Sequence, residues 1–297
     1  MFSIKFLHNI RFKDFTVFDL TTLFYLLFTG ILSVVFCARL EFVSLHIIMR
    51  LVFAAAILLL IRLNQKNKSK FVTFMRNFYP MVFLGFFYSE TDYFNNLFVE
   101  NLDLAFSNFE FQLFNCQPSI EFSQLMPQRW FAELMHFSYF SYYLLIFGLT
   151  FWVYCFNKQK FEYVSNAVYT SFYVFYIIFT FLPVAGPQFF FASPYNQIPQ
   201  GYVFGDLMKI VHAIGEGPTA AFPSSHVGIV VLMWFLSYRY ARPILPYLLA
   251  LGILLIASTV YLKAHYLIDV LGGALIVPLL YAIYLGVYKI LSKKINS

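Results

Sequence analysis

Charge is what this sequence has least of. Only 11% of its 297 residues are Asp, Glu, Lys or Arg, against roughly 25% in a typical soluble domain. That shortage excludes a water-exposed globule, and a content of 61% hydrophobic and 22% aromatic residues points to an integral membrane protein. Cysteine is scarce as well. Cys37, Cys116 and Cys155 lie far apart with no metal-ligand spacing, which excludes a disulfide framework and a zinc site. There is no internal repeat and no low-complexity tract. Glu133 and His136 form a Glu-x-x-His pair, but a di-iron bundle needs two such motifs and further glutamates. A second is lacking, so no metal site is expected.

What the chain does contain is apolar runs of about 20 residues, the length that crosses a hydrocarbon core of about 30 Å. They cover 18–38, 43–63, 71–89, 134–156, 163–183, 223–237, 244–262 and 266–288. The expected fold is therefore an all-α, polytopic membrane helical bundle of about eight spans. The first run lies late and passes straight into Arg39 and Glu41, so it reads as a retained anchor rather than a signal peptide.

The net charge of +6 follows from topology, not from nucleic acid. Short cytoplasmic loops collect Lys and Arg. With the N-terminus inside, 14 of the 20 basic residues fall on the inner side: Lys5, Arg11, Lys13, Arg62, Lys66, Lys68, Lys70, Lys158, Lys160, Arg239, Arg242, Lys289, Lys293 and Lys294. Arg39, Arg129, Lys209 and Lys263 remain outside, and Arg50 and Arg76 fall within spans, where burial and pairing are expected.

Two long outer segments follow from this topology. Residues 90–133 hold Glu90, Asp92, Glu100, Asp103, Glu110, Glu121 and Glu133, half of the 14 acidic residues. Interleaved Phe106, Phe109, Phe111 and Phe114 predict short amphipathic helices at the interface, whose apolar stripes would bury as a cap over the bundle. Residues 184–222 are punctuated by Gly and Pro and read as a loop with one helix near 204–214.

The chemistry-bearing residues lie at the outer ends of spans. "FPSSH" places Pro223, Ser224, Ser225 and His226 at the start of a helix. Proline suits a first helical turn, and the serine hydroxyls with nearby N–H groups form either a plain helix cap or an anion site. His265 and Asp269 stand at i and i+4, on one helical face. They read either as a helix-stabilising pair or as an imidazole oriented by a carboxylate, its other nitrogen left as a nucleophile. Both histidines fall on the same outer surface, which favours the second reading. His226 would then bind phosphate and protonate a leaving oxygen.

"FPSSH" together with "STVYLKAHYLIDV" resembles the signature of the type 2 phosphatidic acid phosphatase superfamily. That superfamily includes vanadium haloperoxidases and sphingolipid phosphotransferases. Its second motif is Pro-Ser-Gly-His, matched here by Pro223 to His226 with Ser225 in place of Gly. Its third is matched by Ser258, His265 and Asp269, with Thr259 where the motif has Arg. The resemblance covers mainly residues 180–285. It implies His265 as nucleophile through a phosphohistidine, Asp269 as its orienter and His226 as acid, with no cofactor and no metal.

The superfamily's first motif, Lys, six residues, then Arg-Pro, has no clean match. In "FLPVAGPQFF", Gln188 stands where sequences of the inositol phosphorylceramide synthase branch often have Arg. Developing phosphoryl charge needs cationic or N–H partners. Lys263 is nominated first, then Lys209 and Arg129, with Ser224, Ser225 and Gln188 as further phosphate contacts. His212 and Glu216 are candidate head-group contacts.

The expected protein has N-terminal helices and an outer segment over 1–133 and a phosphatase or phosphotransferase core over 134–297, six helices deep. Its expected partners are a lipid-linked phosphate substrate and membrane lipids, with no nucleic acid and no protein partner identified. The expected setting is a prokaryotic inner membrane, both termini cytoplasmic and the site facing the periplasm. The alternative is a non-catalytic lipid-binding or transport protein that keeps the phosphate pocket.

Overall fold

A computed structural model describes residues 10–67, 69–215 and 217–296, without the side chains of 212–215 and 296. The described chain is helical throughout: α1 (Val17–Val35), α2 (Val43–Lys66), α3 (Lys70–Phe94), α4 (Asp103–Phe114), α5 (Pro118–Leu125), α6 (Arg129–Phe156), α7 (Lys158–Phe181), α8 (Pro187–Phe190), α9 (Val203–Gly215), α10 (Ser225–Tyr240), α11 (Leu245–Tyr261), α12 (Leu267–Leu275) and α13 (Val277–Asn296). Six stretches are long and apolar enough to cross a membrane: α1, α2, α6, α7, the run Arg242–Tyr261 ending α11, and Leu267–Ile295 through α12 and α13. This is an integral membrane protein. Two expected spans fall outside that set. The α10 helix has 16 residues, about 24 Å at 1.5 Å per residue, and α3 carries Lys70, Arg76, Glu90 and Asp92.

The chain divides into two compact units, residues 1–86 with 282–297, and residues 87–281. In the first, Thr16 caps α1 by accepting from Asp19 N–H, and Asp19 accepts from Thr16 N–H in return. The same carboxylate, wholly buried, receives both arms of Arg76 and the Tyr79 hydroxyl at 2.7 Å. Arg50 donates to the His46 carbonyl at 2.6 Å and to Thr29 at 3.2 Å. A charge removed from water is tolerable only when paired this way.

In the second unit, fifteen of the 24 residues of α7 are buried, among them Tyr169, Phe175 and Phe179. α7 packs against α6 and α10, and α11 packs against the same two helices. The N-terminus of α10 packs closely on α12 because residue 273 is glycine: a Cβ there would lie 2.3 Å from the Ser224 carbonyl oxygen.

The outer helix α4 follows the expected cap only at Phe106, which packs on Phe222 and Tyr266. Its buried stripe is polar, Asp103, Ser107 and Glu110, whereas Leu104 (63% exposed) and Leu113 (59%) face outward with Phe109, Phe111 and Phe114. Spacing i, i+4, i+7 places the three polar residues on one face. The helix turns its polar side to the protein because that side has partners there.

Candidate active site

His265 and His226 meet. Nδ1 of His226 lies 3.2 Å from Nε2 of His265, and the rings are edge to face. The other nitrogen of His265, Nδ1, lies 2.8 Å from the carbonyl oxygen of Ala221. A carbonyl only accepts, so Nδ1 carries a proton and donates, which leaves Nε2 with a lone pair. His226 Nδ1 is then the donor across the pair. The Asp269 carboxylate is 3.5 Å from His265 Nδ1. His265 is thus oriented first by its hydrogen bond to a backbone carbonyl, with the i+4 carboxylate behind it.

His226 is held between two tyrosines of α6, its ring 4.7 Å from that of Tyr139 and 4.4 Å from that of Tyr142. Tyr142 also donates to the Ser225 carbonyl at 3.3 Å. Tyr139 and Tyr142 stand three residues apart on α6 and so face the same way.

The serines sit where the sequence puts them, with a shift in register. The helix starts at Ser225, Ser224 is its N-cap, and its hydroxyl accepts from Val227 N–H. Pro223 therefore precedes the cap instead of filling the first turn. Ser224 N–H donates to the Asp269 carbonyl at 3.0 Å, which ties the start of α10 to α12. Both serines are buried.

Two buried carboxylates of α4 brace this arrangement, and sequence reasoning passed over their role. Asp103 accepts from Ala185 N–H at 2.6 Å, Gly186 N–H at 2.8 Å and the Tyr266 hydroxyl at 3.0 Å. It joins the "PVAGPQ" segment to the residue beside His265. Burial and the facing Asp103 carboxylate push the Tyr266 phenol far above its ordinary range. Glu110 accepts from Ile268 N–H at 3.1 Å in the first turn of α12, a favourable place for negative charge. Burial nevertheless pushes its carboxyl up to about 7. Gly186 has φ +95°, and a Cβ there would lie 2.6 Å from the Ala264 carbonyl oxygen. Only glycine fits so close to the chain that carries His265. The signal available in the sequence was the spacing of Asp103, Ser107 and Glu110 within an otherwise apolar stretch.

The nominated cations lie elsewhere. Lys263 is buried, and its ammonium donates to the carbonyls of Tyr195 at 2.7 Å and Gln197 at 2.5 Å. Burial lowers its pKa. Arg129 donates to the Gly201 carbonyl at 2.8 Å and lies over the Tyr202 ring, while Lys209 pairs with Asp206 at 2.8 Å. Each of these groups has another partner in the structure, and Lys263 braces the 195–197 segment. Glu133 accepts from the N–H groups of Tyr202, Phe204 and Gly205 at the start of α9, and His136 contacts the Pro199 carbonyl. Among the described residues no cluster of His, Cys, Asp or Glu is arranged to hold a metal. The His212 side chain and Glu216 lie outside the described residues.

His226, His265 and Gln188 line one narrow cleft, together with Tyr88, Tyr139, Phe189 and Thr219. Gln188 is fixed there by its own N–H, which donates to the Lys263 carbonyl at 2.9 Å. Among the described residues no Lys or Arg lines the cleft.

A histidine at the start of one helix thus faces a second histidine with a carboxylate four residues on, within a membrane helical bundle. The chain belongs to the PAP2 superfamily, whose family model matches residues 108–283. Membership suggests phosphatase or phosphotransferase activity. No curated protein matches the chain, and no solved structure does.

Proposed function

We propose that the protein is a membrane enzyme that cleaves or transfers lipid-linked phosphate through a phosphohistidine, without metal or cofactor. The observation that carries this reading is the contact of His226 Nδ1 with His265 Nε2 at 3.2 Å, with His265 Nδ1 held by the Ala221 carbonyl. The lone pair of Nε2 attacks phosphorus in line. The bond from phosphorus to the alcohol oxygen breaks, its electron pair goes to that oxygen, and protonated His226 supplies the proton. Tyr139 and Tyr142 present aromatic faces to the positive imidazole that this step needs. Water or a second alcohol then attacks phosphorus and gives its proton to His226, and the N–P bond breaks.

Asp269 supports the positive charge that grows on His265, 3.5 Å away. Ser224, Ser225 and Gln188 serve as neutral phosphate-side contacts. Transfer to a lipid or polyol acceptor is the reading favoured by the "PVAGPQ" segment, by likeness to the inositol phosphorylceramide synthase branch. The core is residues 134–297, reached by about eight spans, with α3 and α10 crossing beside the six apolar stretches. The charge distribution supports both termini on the cytoplasmic side and the cleft on the periplasmic face of a prokaryotic inner membrane.

The test is release and transfer of phosphate from a panel of lipid phosphomonoesters and phosphodiesters by purified protein in detergent, with and without chelator. Chelator-resistant turnover, lost in His265→Ala, is the expected result. The ratio of free phosphate to transferred product separates hydrolysis from transfer. Lipid binding without turnover, unchanged in His265→Ala, would move the protein to the class of lipid binders or transporters.

A further inference from the structure

Thr219 lines the cleft with a buried polar group that has no described role. It is 6% exposed, and its hydroxyl has no hydrogen-bond partner among the described residues. A hydroxyl removed from water and left unpaired is costly, and proteins rarely keep one without cause. The segment that carries it is held on both sides. Asn95 donates to the Pro218 carbonyl at 3.0 Å, and Ala221 N–H donates to Val184 at 2.9 Å. The Ala221 carbonyl, two residues on, is the one that orients His265. Thr219 is thus held in place in the same cleft as the two imidazoles with a donor that no described residue uses.

The chemistry of the cleft indicates what would use it. A transferring phosphoryl group spreads negative charge over three equatorial oxygens, and catalysis depends on donors fixed toward them. No permanent cation lines this cleft among the described residues, since Lys263 is bound to two carbonyls. Neutral donors must take that part.

We propose that the Thr219 hydroxyl donates to a nonbridging oxygen of the transferring phosphoryl group, in place of a cationic phosphate ligand. The proposal rests on the phosphohistidine reading above. It forms no covalent bond and moves no proton.

The experiment uses the full chain in detergent with orthovanadate as a probe of the five-coordinate phosphorus and inorganic phosphate as a probe of the ground state. Binding is read by thermal shift for the wild type, Thr219→Val, Thr219→Ser and His265→Ala. Turnover is followed in parallel with a dioleoyl phosphatidic acid substrate and a phosphodiester lipid. Thr219→Val should lower kcat by about 10²- to 10³-fold, the range for removal of one such donor, and weaken vanadate more than phosphate. Thr219→Ser, which keeps the hydroxyl, should restore most of both. Because the hydroxyl has no partner among the described residues, Thr219→Val should melt no lower than the wild type. A structural role would lower it.

Wild-type kcat and vanadate affinity in Thr219→Val, or a lowered melting temperature without recovery in Thr219→Ser, would overturn the proposal. If His265→Ala abolishes turnover while Thr219→Val does not, this inference fails alone. If His265→Ala keeps turnover, or the wild type neither turns over nor binds vanadate, the phosphohistidine reading fails and takes this one with it.

Discussion

The imidazoles of His226 and His265 are hydrogen-bonded to each other, Nδ1 to Nε2 at 3.2 Å, across 39 residues of sequence. The donor on one side and the lone pair on the other are fixed by the Ala221 carbonyl, which holds the far proton of His265. If His226 protonates the leaving oxygen, His226→Gln keeps a hydrogen-bonding group but no titratable proton. Turnover should fall by about 10²- to 10⁴-fold. The loss should be smaller for substrates with acidic leaving groups such as nitrophenol, which need no proton. Equal losses for both kinds of leaving group would remove His226 from the acid role.

Asp103 ties the segment at Ala185 and Gly186 to Tyr266 through three donors. Asp103→Asn retains the size but turns an amide N–H₂ toward groups that themselves donate. We expect a destabilisation of about 2–3 kcal/mol, the scale of a lost charge-assisted hydrogen bond with its partners left unpaired. Turnover should fall as well, because Tyr266 adjoins His265. Thermal melting and turnover measured on the same preparation check both effects.

Glu110 gives the protein a pH dependence with a definite sign. Its carboxyl lies near 4.5 when unperturbed and is pushed up to about 7 by burial, so between those values the folded chain binds more protons than the unfolded one. Stability from this group is complete below about 4.5 and is lost as pH rises through about 7. At about 1.4 kcal/mol per pH unit, the change is at most about 3.5 kcal/mol. Glu110→Gln keeps an acceptor for Ile268 N–H and should flatten melting temperature against pH across that window. An unchanged slope would assign the dependence to other groups.

Lys263 separates a bracing role from a phosphate-binding one. Its ammonium donates to the Tyr195 and Gln197 carbonyls, so Lys263→Met should destabilise the protein by about 1–3 kcal/mol and raise protease sensitivity near residues 192–197. Vanadate affinity in the folded variant should remain close to that of the wild type. A selective loss of vanadate binding with unchanged melting would return Lys263 to the phosphate site.

Much of the site was legible in the sequence because it is written locally. His265 and Asp269 are four residues apart, although His265 precedes α12, which begins at Leu267, and "FPSSH" carries its own helix start. What was not legible is set by distant partners. The i+4 spacing pointed to Asp269 as the acceptor for His265, yet the Ala221 carbonyl, 44 residues away, is closer. A backbone oxygen carries no residue-type signal. Lys263 looked like a phosphate ligand because it is next but one to His265, but its φ of +60° and its bonds to two carbonyls turn it elsewhere. The polar stripe of α4 ran against the rule that apolar faces bury, a rule that holds when water is the alternative.

The sequence by itself determined the solvent and the chemistry. So little charge among long apolar runs commits the chain to a bilayer, where the backbone must satisfy its own hydrogen bonds and so becomes helical. The residues that carry the PAP2 resemblance are also local text. Tertiary structure alone decided which side chains meet. Asp103 and Glu110 become braces, Lys263 becomes a clasp and Thr219 stands unpaired in the cleft. The physical reason is that a buried polar group is worth what its partners make it, and those partners are brought together from helices far apart in the chain.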